Sequence, residues 1–292
     1  MISIIITSFK EPQTIGRAIE SFLKQKIKNY EIIVSAPDEE TLNVARYYQK
    51  KNKKIKIIKD SGKGKPAALN KAFRQAKGEI IILSDGDVYV SSNSVEHLID
   101  HFKDKKIGAV SGRIISINSR KSMFGYWAFA TSEAFHRLRG KKSTMQNNII
   151  CSGYLYAIRK SLAGKIPENI LADDAFISER TIKKGFRTVY EPEARVFVKY
   201  PDSLPDWIRQ KKRTAGRYYQ LARYFNISRA ESIKDEILSA IGVFLDIKDV
   251  KEIYWFFLLL IMRAYIWARI FFDFRLWGRE FNKNWERVES TK

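Results

Sequence analysis

The chain has 292 residues and a formal charge of +21, from 53 Lys+Arg against 32 Asp+Glu. That length admits one large α/β domain or one domain with an appendage, and a hydrophobic share of 45% excludes a disordered chain. The charge suits an anionic partner (nucleic acid, a phosphorylated metabolite or an anionic membrane surface), while a single cysteine, Cys151, excludes an internal disulfide and is compatible with a reducing cytosol.

In chain order, the opening run ISIIITSF is β-branched and reads as a first strand, too short and lacking the basic leader for a secretion signal. PQTIGRAIESFLKQ has helical periodicity, with Pro12 near its start. YEIIVSA predicts a second strand, DEETLNVARYYQKK a helix, and KIKIIKD a third strand. A Gly/Lys loop, the helix PAALNKAFRQAKG and the strand EIIILSD follow. Short apolar strands alternating with amphipathic helices predict a mostly parallel sheet with right-handed crossovers. Ligands collect at the carboxyl ends of such strands, which is where Thr7 to Glu11, Ser35 to Asp38, Asp60 to Lys65, and Asp85 with Asp87 fall.

From about residue 107 the alternation loosens. IGAVSGRIISI and RTVYEPEARVFVKY read as strands, with helical material around 122–139 and 173–184. After PDSLPDW the chain becomes helical and very basic, so a boundary is expected near 205: a catalytic domain over 1–205 and a basic, apolar helical region over 206–292. The segment 253–272, IYWFFLLLIMRAYIWARIFF, has about the 20 residues that a membrane span requires. Arg263 and Arg269 would each cost about 2.5–3.5 kcal/mol near the centre of a span. Its aromatic residues and arginines favour a helix lying at the membrane interface; a core helix packed against 233–247 and a true span are the alternatives.

Each candidate motif has a plain structural explanation beside a chemical one. Asp85 and Asp87 flank Gly86 where a strand leaves the core, which suits a turn. The same pair offers hard oxygen ligands to Mg²⁺ or Mn²⁺ shared with a diphosphate. DSGKGKPAALN lacks the spacing of a Walker A loop. It is either a basic loop before a helix or a phosphate-attracting segment with Lys65 at a helix N-terminus. Asp173 and Asp174 open an amphipathic helix, where capping accounts for one acid and leaves the other for general-base work. QKKR at 210–213 reads as a solvated basic face.

Taken in order, these segments resemble the family 2 inverting glycosyltransferases of GT-A fold, especially the branch of cellulose, hyaluronan and poly-N-acetylglucosamine synthases. The resemblance spans roughly residues 2–217 and rests on TSFKEPQTI, GKPAALN, KGEIIILSDGDV, SGYLYAIRKSL, LADDAFISERTIKKGFRTVYEPEA and QKKRT. It implies a sheet flanked by helices, a nucleotide diphosphate sugar donor with uridine as the expected base, and inversion at the transferred sugar. Thr7, Glu11, Asp60, Lys65, Asp85, Gln210 and Arg213 would contact the donor. Asp85 and Asp87 would hold a divalent cation, Mn²⁺ or Mg²⁺. Ser152, Gly153 and Asp173 would lie on the acceptor side, and Asp174 would be the base.

The sequence departs from the pattern twice. SAPD, with Asp38, replaces an Asp-rich segment, and Thr214 replaces a Trp that lines the acceptor site of processive synthases. The acceptor implied is a hydroxyl of a glycan or lipid-linked acceptor; the basic, apolar tail adds an anionic membrane surface as partner, at the cytoplasmic side of the cell membrane or otherwise in the cytoplasm, with no nucleic acid. The rivals are a polyprenyl-phosphate sugar transferase and a non-catalytic sugar-nucleotide-binding module.

Overall fold

The computed structural model describes residues 1–225, 241–273 and 289–291. Eight strands form one sheet in the order β3-β2-β1-β4-β7-β6-β8-β5. The strands are β1 (Ile2–Thr7), β2 (Tyr30–Ala36), β3 (Ile55–Lys59), β4 (Ile80–Asp85), β5 (Tyr89–Val90), β6 (Ile107–Ser116), β7 (Leu155–Arg159) and β8 (Arg187–Val198). β3, β2, β1 and β4 run parallel, as the alternation of strands and helices requires. Ile4, Ile5 and Ile6 are fully buried, consistent with a strand covered on both faces. The crossover helices are α1 (Ile15–Leu23), α2 (Glu39–Lys51) and α3 (Lys65–Gln75).

Beyond β4 the sheet turns mixed: β7 is antiparallel to both β4 and β6, and β5 is antiparallel to β8. Five residues of SGYLYAIRKSL therefore form an internal strand that sequence periodicity did not reveal. The run is too short to show a period, and its place depends on the pairing of Tyr156 with Leu83 and Ser111. Pro12 stands outside α1, which begins at Ile15 after a turn closed by the amides of Thr14 and Ile15 donating to the Glu11 carbonyl.

The chain forms two compact units, Met1–Ile114 with Lys142–Val198, and Ile115–Lys141 with Lys199–Thr291. The first also holds α4 (Ser94–Asp100) and α6 (Asp173–Lys183). The second contains most of α5 (Met123–Thr144), together with α7 (Leu204–Phe225) and α8 (Val250–Phe271). Its core joins Tyr126, Trp127, Trp207, Phe256, Leu259 and Ile266. The rings of Trp127 and Trp207 lie 4.9 Å apart, and Trp127 Nε1 donates to the Trp255 carbonyl at 2.8 Å.

α8 is long and apolar enough to cross a bilayer by length and composition, yet one face is buried in this core. Tyr254, Phe257, Ile261 and Tyr265 face outward at helical spacing. Of the expected partner segment 233–247, residues 233–240 lie outside the described residues, and Val243 joins the core.

Candidate active site

The carboxyl ends of β1 and β4 lie side by side, pairing Thr7 with Asp85. At the turn after β4, the Gly86 amide donates to the Thr7 carbonyl at 2.9 Å. A Cβ on Gly86 would stand 2.4 Å from Ser8 Oγ and 2.8 Å from Glu11 Oε2. The residue between the two acids must therefore be glycine, because the first loop packs against it. Ser8 Oγ donates to Glu11 Oε2 at 2.7 Å, which draws Glu11 to this turn.

The loop after β3 brings the next residues. Asp60 Oδ1 accepts from the Gly62 amide at 2.9 Å, and Ser35 Oγ donates to Asp60 Oδ2 at 3.0 Å. Gly62 and Gly64 adopt φ of +68° and +99°, left-handed values that disfavour side chains. Lys65 then opens α3 with Pro66 behind it. Its Nζ lies 2.6 Å from Asp85 Oδ1 and 3.7 Å from Asp173 Oδ2.

α6 supplies the acids from the other side. Its N-cap is Ala172, with no side-chain capping bond, so neither Asp173 nor Asp174 is the cap that the sequence suggested; both stand in the first turn. Asp174 accepts from the Gly153 amide through Oδ2 and from the Ala175 amide through Oδ1, each at 2.8 Å. Asp173 is buried, and among the described residues its Oδ2 has no hydrogen-bond partner. Burial pushes the Asp173 carboxyl up to about 6; Lys65 opposes that rise, and Asp174 and Asp85 add to it. Burial also pulls Lys65 down, but Asp173 and Asp85 more than offset it, and the ammonium is held above its ordinary range.

Asp85, Lys65, Asp173, Asp174 and Gly153 thus meet in one cluster, with Thr7 and Glu11 at its edge. Ser152 is buried next to it, its amide donating to Ser111 Oγ at 3.0 Å. Asp60 stands at the mouth of the Lys65 loop. Gln210 and Arg213 belong to α7 in the second unit, where Gln210 Oε1 is buried without a hydrogen-bond partner among the described residues. Asp38 caps α2, accepting from the amides of Thr41 and Lys10.

Sequence reasoning missed the residues that hold this cluster in shape. Asn70, last of GKPAALN, exchanges two 2.8 Å bonds with the backbone of Ile166, fastening α3 to the loop before α6. Ser84, Ser111 and Ser178 bond the backbone of Tyr154, Ser152 and Cys151. Their one visible signal was a serine inside an otherwise apolar or helical run.

Mg²⁺ or Mn²⁺ is commonly bound through one or two carboxylates plus substrate phosphates. Asp85 ends β4, and Asp87 follows it across Gly86, two carboxylates of the kind such a site uses. Among the described residues no group of three or more His, Cys, Asp or Glu could hold a metal ion alone.

The fold is of the GT-A type. A mannosyltransferase from Pyrobaculum calidifontis, solved with GDP-mannose and Mn²⁺, superposes with a TM-score of 0.68, covering 96% of this chain and 88% of that one at 17% identity. TarS residues 1–349 of S. aureus, solved with UDP, give 0.53 over 78% of this chain and 73% of that one, also at 17% identity. The profile of Glycosyl transferase family 2 matches residues 3–166, and the chain belongs to that family. The probable glycosyltransferase YdaM of Bacillus subtilis is 25% identical over 94% of this chain and 68% of its own. The poly-β-1,6-N-acetyl-D-glucosamine synthase of Staphylococcus aureus is 25% identical over 77% of this chain, which spans only 56% of that synthase.

Proposed function

We propose that this glycosyltransferase moves a sugar, with inversion, from a nucleotide diphosphate donor to a hydroxyl of a glycan or lipid-linked acceptor, with a divalent cation assisting. The observation that carries the reading is the meeting of Asp85, Lys65, Asp173 and Asp174 at the carboxyl end of the parallel strands. Asp85 and Asp87 would hold the cation, which would supply positive charge against the departing diphosphate. Asp174 takes the acceptor hydroxyl proton while that oxygen bonds to the anomeric carbon. The bond from that carbon to the diphosphate breaks, and the electron pair leaves with the nucleotide. Thr7, Glu11 and Asp60 surround the nucleoside. Ser152, Gly153 and Asp173 shape the acceptor side. A uridine donor is consistent with the UDP bound by TarS, whereas the Pyrobaculum enzyme was solved with a guanosine sugar.

Calorimetric titration with UDP, with and without Mn²⁺, tests the reading. Binding is expected to strengthen with Mn²⁺ in the wild type and to lose that dependence in Asp87→Ala. Near-wild-type affinity that Mn²⁺ still increases in the variant would remove Asp87 from the cation site.

The reading extends to location. The outward stripe of α8, together with the basic run 209–223, suits the cytoplasmic face of an anionic membrane. Each Lys or Arg near such a surface gains about 1 kcal/mol, and apolar side chains entering the headgroup layer add a part that salt does not screen. Trp277, a further interfacial candidate from the sequence, lies outside the described residues. In flotation with anionic liposomes the protein is expected to rise at low salt, to stay partly bound at high salt, and to come off in alkaline carbonate. A protein left at the bottom of the low-salt gradient would end the membrane reading.

A further inference from the structure

We propose that Lys65 is a resident counter-ion that occupies Asp85 in the ligand-free enzyme, so that a cation gains Asp85 only when a nucleotide diphosphate draws the ammonium away. The inference rests on the cation site proposed above and deepens it, because it sets the order in which the ligands enter.

Four observations converge on Lys65. Its Nζ lies 2.6 Å from Asp85 Oδ1, within hydrogen-bond reach of a carboxylate assigned to the cation. A hard cation and an ammonium compete for the same kind of oxygen, and they repel each other at that range. Second, both partners are largely sheltered, with side-chain exposures of 26% for Lys65 and 25% for Asp85. Taking both charges out of water offsets much of what the pair gains, so such a pair is weak evidence for a stabilising role and leaves room for a switching one.

Third, Lys65 stands in the first turn of α3, where the helix dipole disfavours a cation. Helix stability gives no reason for a lysine here; the acids do. Fourth, Asp85 and Asp173 both lie within 4 Å of the Lys65 ammonium, and Asp174 adds its field. A divalent ion alone would push Lys65 from Asp85 toward Asp173, whose Oδ2 at 3.7 Å lies beyond hydrogen-bond range of Nζ. A diphosphate provides a further anion. Lys65 can then turn from Asp85 to a phosphate oxygen, and the carboxylate is released.

The test reads Mn²⁺ binding directly, from the loss of the free-ion signal in electron paramagnetic resonance. Wild-type protein, Lys65→Met and Lys65→Arg are each titrated with Mn²⁺ alone and with Mn²⁺ plus UDP. Wild type is expected to bind Mn²⁺ weakly alone and about 5–150-fold more tightly with UDP, the usual range of coupling between two ligands. Lys65→Met is expected to bind Mn²⁺ alone more tightly than wild type and to gain less from UDP. Lys65→Arg keeps the charge and is expected to resemble wild type with Mn²⁺ alone.

Equal or weaker binding of Mn²⁺ alone by Lys65→Met would overturn the counter-ion role while leaving the cation site intact. Failure of wild type to take up Mn²⁺ even with UDP would instead overturn the cation site, and the inference with it. Should Lys65→Met not fold, the wild-type ammonium can be followed by ¹⁵N-lysine magnetic resonance, assigned from its loss in Lys65→Arg. Its signal is expected to move with Mg²⁺ plus UDP and to stay with Mg²⁺ alone. Movement with Mg²⁺ alone would overturn the proposal.

Discussion

Asp174→Asn is expected to bind UDP with Mn²⁺ as the wild type does and to lose about 10²–10⁴-fold in transfer, the usual contribution of a general base. Asparagine keeps the size of the side chain, and its amide oxygen can still accept from the Gly153 amide, which reaches Asp174 Oδ2 at 2.8 Å. What it cannot do is take a proton. Asp173→Asn is the necessary companion, because Asp173 has a buried oxygen without a hydrogen-bond partner among the described residues and a carboxyl pushed up to about 6 by burial. A base works best with a pKa near the working pH, so Asp173 is the rival by that criterion. Its burial and its ion pair with Lys65 instead suit a residue that shapes the site. A larger loss in Asp173→Asn than in Asp174→Asn would exchange the two roles. Transfer within a few-fold of wild type in both would favour a phosphate acceptor, which needs little activation. The two amides already donating to Asp174 are the observation on that side. Single-turnover transfer beside calorimetric UDP affinity separates these outcomes.

The largest expected loss of stability lies far along the chain from those acids, at Glu252. This carboxylate is 5% exposed and accepts from Arg120 Nε at 2.5 Å and Nη2 at 2.6 Å. The Lys248 amide adds a third bond at 2.7 Å. Glu252→Gln removes the carboxylate charge facing Arg120, which keeps its bond to the Asp246 carbonyl, and breaking a buried pair from one side costs about 3–5 kcal/mol. Replacing both partners, as Arg120→Met with Glu252→Leu, is expected to restore most of the stability, since the desolvation cost goes with the charges.

The pH dependence has a definite sign. Hydrogen bonds from Arg120 outweigh burial and hold the Glu252 carboxyl below its ordinary 4.5. Its stabilisation is therefore complete above 4.5 and fades as pH falls through the lower folded value. The gap between wild type and Glu252→Gln should close over that acidic window. Every tryptophan of the sequence lies in Ile115–Lys141 or beyond Lys199, so urea transitions followed by tryptophan fluorescence report on this unit. A difference under about 1 kcal/mol, or one unchanged down to strongly acidic pH, would mean that solvent reaches the pair and screens it.

Much of the first half of the fold could be read from the sequence, because parallel strands covered on both faces leave continuous apolar runs such as IIIL and IIV. In the antiparallel half β6 and β8 were legible as strands, but β5, β7 and the antiparallel pairing were not. β7 is five residues long, and nothing local to LYAIR distinguishes a strand between β4 and β6 from a loop. At the site, acids placed at strand ends and helix starts were visible as chemistry that their positions did not otherwise require. Their partners were not. That Lys65 turns toward Asp85 and Asp173 depends on how α3 and α6 converge, and Asn70 spans 96 residues to reach Ile166. The capping role suggested for the α6 acids went instead to the Ala172 backbone position, whereas Asp38 caps α2 with its side chain.

The interleaving of the two units sets an order on the newborn chain. Trp127 leaves the ribosome 128 residues ahead of Trp255, whose carbonyl its indole will bond. At about 5–20 residues per second of synthesis, that separation is a wait of roughly 6–25 s. Throughout that interval the apolar face of α5, with Tyr126 and Trp127, has been made and its cover has not. Residues 142–198 meanwhile complete the sheet, so the catalytic unit can close around its acids before the tryptophans find their partners. During that wait the face of α5 stays open to water.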